Sequence, residues 1–175
     1  MPKLLQIAQL GQPVLRRKAK AVANVADKEI QALIDDLMVT VKDVEGVGIA
    51  APQVYEGKRV FILASHPNPR YPKAPKMTPT AVINPKIISH SEKTEKDWEG
   101  CLSIPGIRAL APRWQGILVE YTDRKGKIIK RPFTGFVARI FQHEYDHLEG
   151  IVFLDRVETT KDIITEKEYQ KLVSD

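Results

Sequence analysis

Residues 142–150 read QHEYDHLEG, and within them His143, Glu144 and His147 spell the pattern HExxH. Residues four apart share one face of a helix, so the two imidazoles can bind a single metal ion with Glu144 beside it. A bound divalent ion lowers the pKa of a coordinated water to about 7, and an adjacent carboxylate can take that water's proton and return it. The pattern therefore reads as a hydrolytic centre, provided that the segment is helical. The flanking residues supply the helix: Phe136, Val137, Ile140, Phe141 and Leu148 recur at helical spacing, and Gly150 is placed to cap the end.

A catalytic metal site usually takes three protein ligands and leaves one position for water. The third must come from elsewhere in the chain. His66 lies in a proline-rich stretch and His90 in a polar one, and both read as ordinary surface residues. A downstream glutamate such as Glu166 would complete a thermolysin-like site, whereas Cys101 would complete one through a thiolate. Spacing alone accommodates either.

Working outward, 175 residues of which 43% are hydrophobic suit one domain over positions 1–175, large enough to bury roughly 70% of its unfolded surface. Cys101 is the single cysteine, which excludes an intramolecular disulfide framework and points to a reducing compartment. No stretch approaches the roughly 20 apolar residues of a membrane span, and the first ten residues lack the apolar core of a secretory signal. A soluble, cytoplasmic, bacterial-type protein is expected, ahead of an organelle matrix, with no membrane partner. The net charge of +5 is dispersed apart from Arg16, Arg17, Lys18 and Lys20. No nucleic-acid module accompanies those residues, so specific DNA binding is not expected.

Ile30, Leu33, Ile34, Leu37, Met38 and Val41 predict an amphipathic helix capped by Asp27 and stopped by Gly46 and Gly48. Residues 59–63 and 80–84 read as strands, separated by an irregular loop carrying Pro67, Pro69, Pro72, Pro75 and Pro79. Residues 116–123 and 127–133 read as a hairpin turning at Gly126. Thr165 and Glu168 form a capping box for a last short helix, with Tyr169, Leu172 and Val173 as its expected buried face.

Three segments, GVGIAAPQ at 46–53, EGCLS at 99–103 and QHEYDHLEG at 142–150, occur in the order found in peptide deformylases. The chain resembles that family over nearly its whole length. The resemblance implies an α+β fold in which antiparallel β-sheets surround the central HExxH helix and the EGCLS strand lies alongside it. It implies Cys101, His143 and His147 as metal ligands and Glu144 as general acid and base. Gln53, through its carboxamide, and Leu102, through its backbone N–H, would then support the oxyanion. Gly48, Ile49 and Gly100 are the expected backbone partners of an extended substrate pairing as an added strand. Gly46 and Gly48 fit a strand that must approach a peptide backbone closely. Val47, Phe136 and Ile140 are expected to wall the methionine pocket.

Iron(II) is the implied metal in cells, although two histidines and a thiolate also suit zinc, nickel or cobalt. The implied partners are N-formylmethionyl nascent peptides, with a transient ribosome contact weakened by the mixed charge of residues 160–175. Glu99 and Arg108, near the EGCLS motif, are expected to pair with each other or to lie on the surface, without a catalytic role. The proline-rich stretch at 66–79 reads as an insertion between strands. Two rival readings remain. A HExxH metalloendopeptidase would leave EGCLS unexplained, and a non-catalytic, metal-stabilised, ribosome-associated homologue would leave Glu144 and Gln53 unexplained.

Overall fold

The expected helix forms as α1 (Lys28–Asp43), where the Asp27 carboxylate accepts from the Glu29 N–H at 2.9 Å and so satisfies one of the free donors at the helix start. The structure, a computed structural model, describes residues 1–174; Asp175, included in the expectations for positions 1–175 and 160–175, lies outside the described residues. After α1 come β1 (Gly48–Ala50), β2 (Val60–Leu63), β3 (Thr80–His90), β4 (Thr94–Cys101), β5 (Ile104–Trp114), β6 (Gly116–Thr122) and β7 (Ile128–Thr134). The chain continues through α2 (Gly135–Leu148), β8 (Ile163–Thr165) and α3 (Glu166–Val173). Among the described residues, no helix is long and apolar enough to cross a membrane.

All strand pairings are antiparallel, in a five-stranded sheet ordered β1-β2-β3-β6-β7 and a three-stranded sheet ordered β4-β5-β8. The larger sheet is covered on both faces, which explains why β2 is an unbroken apolar run and not an alternating one. Val60 and Ile62 pack with Ile30, Ile34, Leu37 and Val41 of α1. Phe61 and Leu63 turn the other way, toward Ile140, Phe141 and Leu148 of α2. The period of two continues into β1, where Ile49 faces α1 and Ala50 faces α2. The HExxH helix is thus held between the larger sheet and the β4–β5 hairpin.

The structure extends or corrects several elements. β3 runs to His90, past the expected end at Asn84, because irregularities in its register around Asn84 and Pro85 break the alternation a sequence reading relies on. β4 has no periodic signature, since its first four residues are all exposed. In α3 Tyr169 is buried, but Leu172 and Val173 are exposed, against expectation. That helix packs on β5 and β8 and, through Tyr169, against Trp98 and Arg70. The proline-rich stretch is irregular, as expected, with one isolated bridge between Asn68 and Tyr71.

Candidate metal centre

Successive turns of α2 carry His143 and His147 on one face, and the β4–β5 turn brings Cys101 against them. The ligand atoms of these three residues lie within 4.8 Å of one another, with Cys101 Sγ 3.3 Å from His147 Nε2. A thiolate and two imidazoles gathered on one point fit a divalent transition-metal ion. Glu144 points into the same cleft. Its Oε2 and the Nδ1 of His147 are buried without a hydrogen-bond partner among the described residues. Burial pushes Glu144 up to about 7, a value suited to exchanging a proton near neutral pH. Burial and the neighbouring His143 hold His147 well below the usual imidazole range, which keeps it neutral, the form that ligates.

His143 is oriented from behind. Its Nδ1 lies 2.9 Å from Glu99 Oε2, which leaves Nε2 for the metal. Glu99 is itself gripped by Arg113 at 2.8 and 3.0 Å and by Arg139 at 3.0 Å. Burial alone would raise its pKa, but the charge of Arg113 and the hydrogen bond with His143 hold it well below the carboxylate range. Arg113 also donates to Asp146 at 2.6 Å, and Asp146 accepts from Arg156. The expected pairing of Glu99 with Arg108 does not form, and neither residue is on the surface. Arg108 instead donates to Glu166 and to the Tyr71 hydroxyl. Glu166 is thereby engaged by Arg108 and lies outside the ligand cluster.

Gln53 is buried, with both ends of its carboxamide fixed. Oε1 accepts from the Ala50 N–H at 2.8 Å, and Nε2 donates to Ser103 Oγ at 3.2 Å and Cys101 Sγ at 3.4 Å. A cleft of about 320 Å³ opens over the cluster, and Val47, Gly48, Gly100, Leu102, Phe136 and Ile140 all line it. Ile49 does not, because strand alternation turns its side chain into the α1 core. A side chain at Gly48 is excluded first by the site itself: a Cβ there would lie 2.5 Å from Glu144 Oε1 and 2.9 Å from Ile140 Cγ2. His66 hydrogen-bonds to the Ala64 carbonyl and His90 stacks on Trp114, and neither belongs to the ligand cluster.

A family model described as polypeptide deformylase matches residues 4–162. The chain belongs to the polypeptide deformylase family. It is an enzyme of that family and metal-dependent like its other members, with the antiparallel α+β architecture that the motifs implied. Peptide deformylase 2 of Nostoc sp. is 61% identical to it over 173 residues, covering 99% of this chain and 97% of that one. Peptide deformylase 2 of Shewanella oneidensis is 46% identical over 154 residues, covering 88% and 84%. The class I type b peptide deformylase of Acinetobacter baumannii, solved with Met-Ala-Ser bound, matches with a TM-score of 0.87 at 42% identity, over 90% of this chain and 100% of that one. The actinonin complex of a Synechococcus elongatus peptide deformylase matches at 0.81 and 35% identity, over 90% and 81%.

Sequence reasoning missed several residues that build this deformylase site. Arg113 and Arg139 lie in no motif. Ser103 closes EGCLS and Asp146 sits inside HEYDH, but nothing in those strings announces that each anchors a neighbour. The signal that could have found them is the presence of charged residues inside runs that otherwise bury, since buried charges require partners.

Proposed function

We infer that this chain, acting as a single catalytic domain, removes the formyl group from the N-terminal formylmethionine of newly synthesised proteins and releases formate. Deformylation follows from membership in the family; the assignment of roles to individual residues is carried by one observation above all. Glu144 is a buried carboxylate in the cleft beside the Cys101–His143–His147 cluster, its Oε2 without a partner among the described residues. Cys101, His143 and His147 would hold the ion, which when bound acts as a Lewis acid that makes water nucleophilic near neutral pH. Glu144 accepts the proton of the attacking water and delivers it to the leaving amine as the C–N bond breaks. Gln53 Nε2, fixed by Ala50 and Ser103, and the backbone N–H of Leu102 donate to the carbonyl oxygen as it gains charge.

The cleft lies between β1 and β4, each an edge strand of its own sheet. An extended peptide fits there as an added strand, with Gly48 and Gly100 offering backbone close to it and Ile49 continuing β1 behind them. Val47, Phe136 and Ile140 supply an apolar wall for the methionine side chain. That the Acinetobacter enzyme was solved with Met-Ala-Ser bound supports a short peptide as the ligand. Iron(II) is the ion assigned in the cell, with zinc, nickel and cobalt as competent substitutes. The protein works in the cytoplasm on nascent formylmethionyl chains.

The test is a formate-release assay on a formyl-methionyl peptide after anaerobic purification and metal analysis. Cys101→Ala, His143→Ala and His147→Ala should each lose metal, whereas Glu144→Ala should keep it and lose turnover. A fully metallated, active Cys101→Ala protein would refute the ligand set.

A further inference from the structure

The proline-rich stretch at 66–79 spans the end of the cleft and is fastened to both walls. On one side Arg70 Nη2 donates to the carbonyls of Val44 at 2.9 Å and Glu45 at 2.8 Å, just before the Gly46–Gly48 wall. On the other, the Tyr71 hydroxyl accepts from Arg108 Nη1 at 2.7 Å and from the Gly100 N–H at 3.3 Å. The Tyr71 ring leans on Phe136 with centroids 5.0 Å apart. Arg108 is itself fixed: it donates to Glu166 and stacks over the rings of Tyr71 and Tyr169. The phenol is therefore aimed by a buried, rigid partner and is not a loosely placed surface group.

Gly100 is where this matters. The β4–β5 register shifts between Glu99 and Cys101, and the Gly100 N–H donates to the phenol oxygen. A Cβ at this position would meet the Arg108 guanidinium at 2.8 Å, so the glycine makes room for Arg108, and both line the cleft. A phenol oxygen at a backbone N–H stands where the carbonyl of a paired peptide would stand.

We propose that Tyr71 is a specificity-determining residue whose hydroxyl competes with a substrate carbonyl for the Gly100 N–H, so that the enzyme reads the length of the formylated chain beyond methionine. The proposal rests on the deformylase reading and on Gly100 as a backbone donor to substrate. Formyl-methioninamide ends before this donor, whereas a formylated tripeptide reaches it and must displace the phenol. Tyr71→Phe keeps the ring and its packing and frees the donor.

The experiment compares kcat/KM for formyl-Met-Ala-Ser with that for formyl-methioninamide, in the metal-loaded wild type and in Tyr71→Phe. The ratio should rise about three- to tenfold in the variant, the net worth of one hydrogen bond, and the rise should come from KM. An unchanged or lower ratio overturns the proposal while leaving deformylation intact. A wild type that releases formate from neither substrate overturns the underlying reading instead. Independently of the variant, a structure of the wild type with Met-Ala-Ser should place the Tyr71 hydroxyl away from Gly100; a contact still at 3.3 Å with peptide bound also overturns it.

Discussion

Glu144 stands beside the metal ligands because Gly48 has no side chain. A methyl group at that position would sit 2.5 Å from its carboxylate oxygen, so the carboxylate would have to swing away. Gly48→Ala is expected to lower kcat by about 100-fold through misplacement of the proposed base, with metal content unchanged; parallel measurements of kcat and bound metal check this. Glu99 is a second residue whose weight is invisible in the string EGCLS. It joins His143 to Arg113 and Arg139 in the interior. Glu99→Gln removes one buried charge and leaves two arginines under-compensated, so unfolding free energy should fall by about 3–5 kcal/mol. Metal affinity should weaken about 10- to 100-fold through the loosened His143. Denaturant titration and competition with a chelator read the two effects separately. The residue expectation that failed, the pairing of Glu99 with Arg108, turned on which face of a strand meets which neighbour.

Among the elements, α1 and α2 were legible because a helix buries one stripe and the stripe recurs in the sequence. β2 was legible as a short apolar run. β4 was not: its exposed first half carries charges that show no alternation, and the site's cysteine lies at its end, at the turn into β5. α3 was placed correctly by its capping box, but its role lies in what it holds. Burial favours the neutral form of Glu166, yet hydrogen bonds from Arg108 and Gln170 and the charge of Arg108 outweigh it, so its pKa sits below the ordinary value. A depressed carboxylate contributes stability above its unfolded pKa of about 4.3, and that contribution is lost as pH falls through the folded value. The melting temperature of wild type should therefore exceed that of Glu166→Gln at neutral pH. The gap should close as pH drops below about 4; a gap that widens in acid would contradict the ion pair's role in docking α3.

At the scale of the whole molecule, the metal cluster joins α2 to the β4–β5 hairpin, two parts of the chain that no single sheet connects. An ion bound only by the folded state stabilises it by about 2.7 kcal/mol at a hundredfold excess over its Kd. For a chain of this length, chelation should then lower the melting temperature by about 5–10 °C. Calorimetry with and without chelator checks this, and an unshifted transition would mean that the cluster does not tie the two parts together. What the sequence determined by itself was the local part of this design. His143 and His147 share a face because helical hydrogen bonds repeat every few residues, so four positions of spacing suffice to bring two ligands together. Cys101 lies 46 positions before His147, and no local rule carries proximity over that distance; the family motif named it, and spacing left Glu166 equally open. The tertiary structure alone decided that Glu99 turns to His143 and that Tyr71 takes the Gly100 N–H. Such contacts exist only after two sheet edges have been set against the same helix.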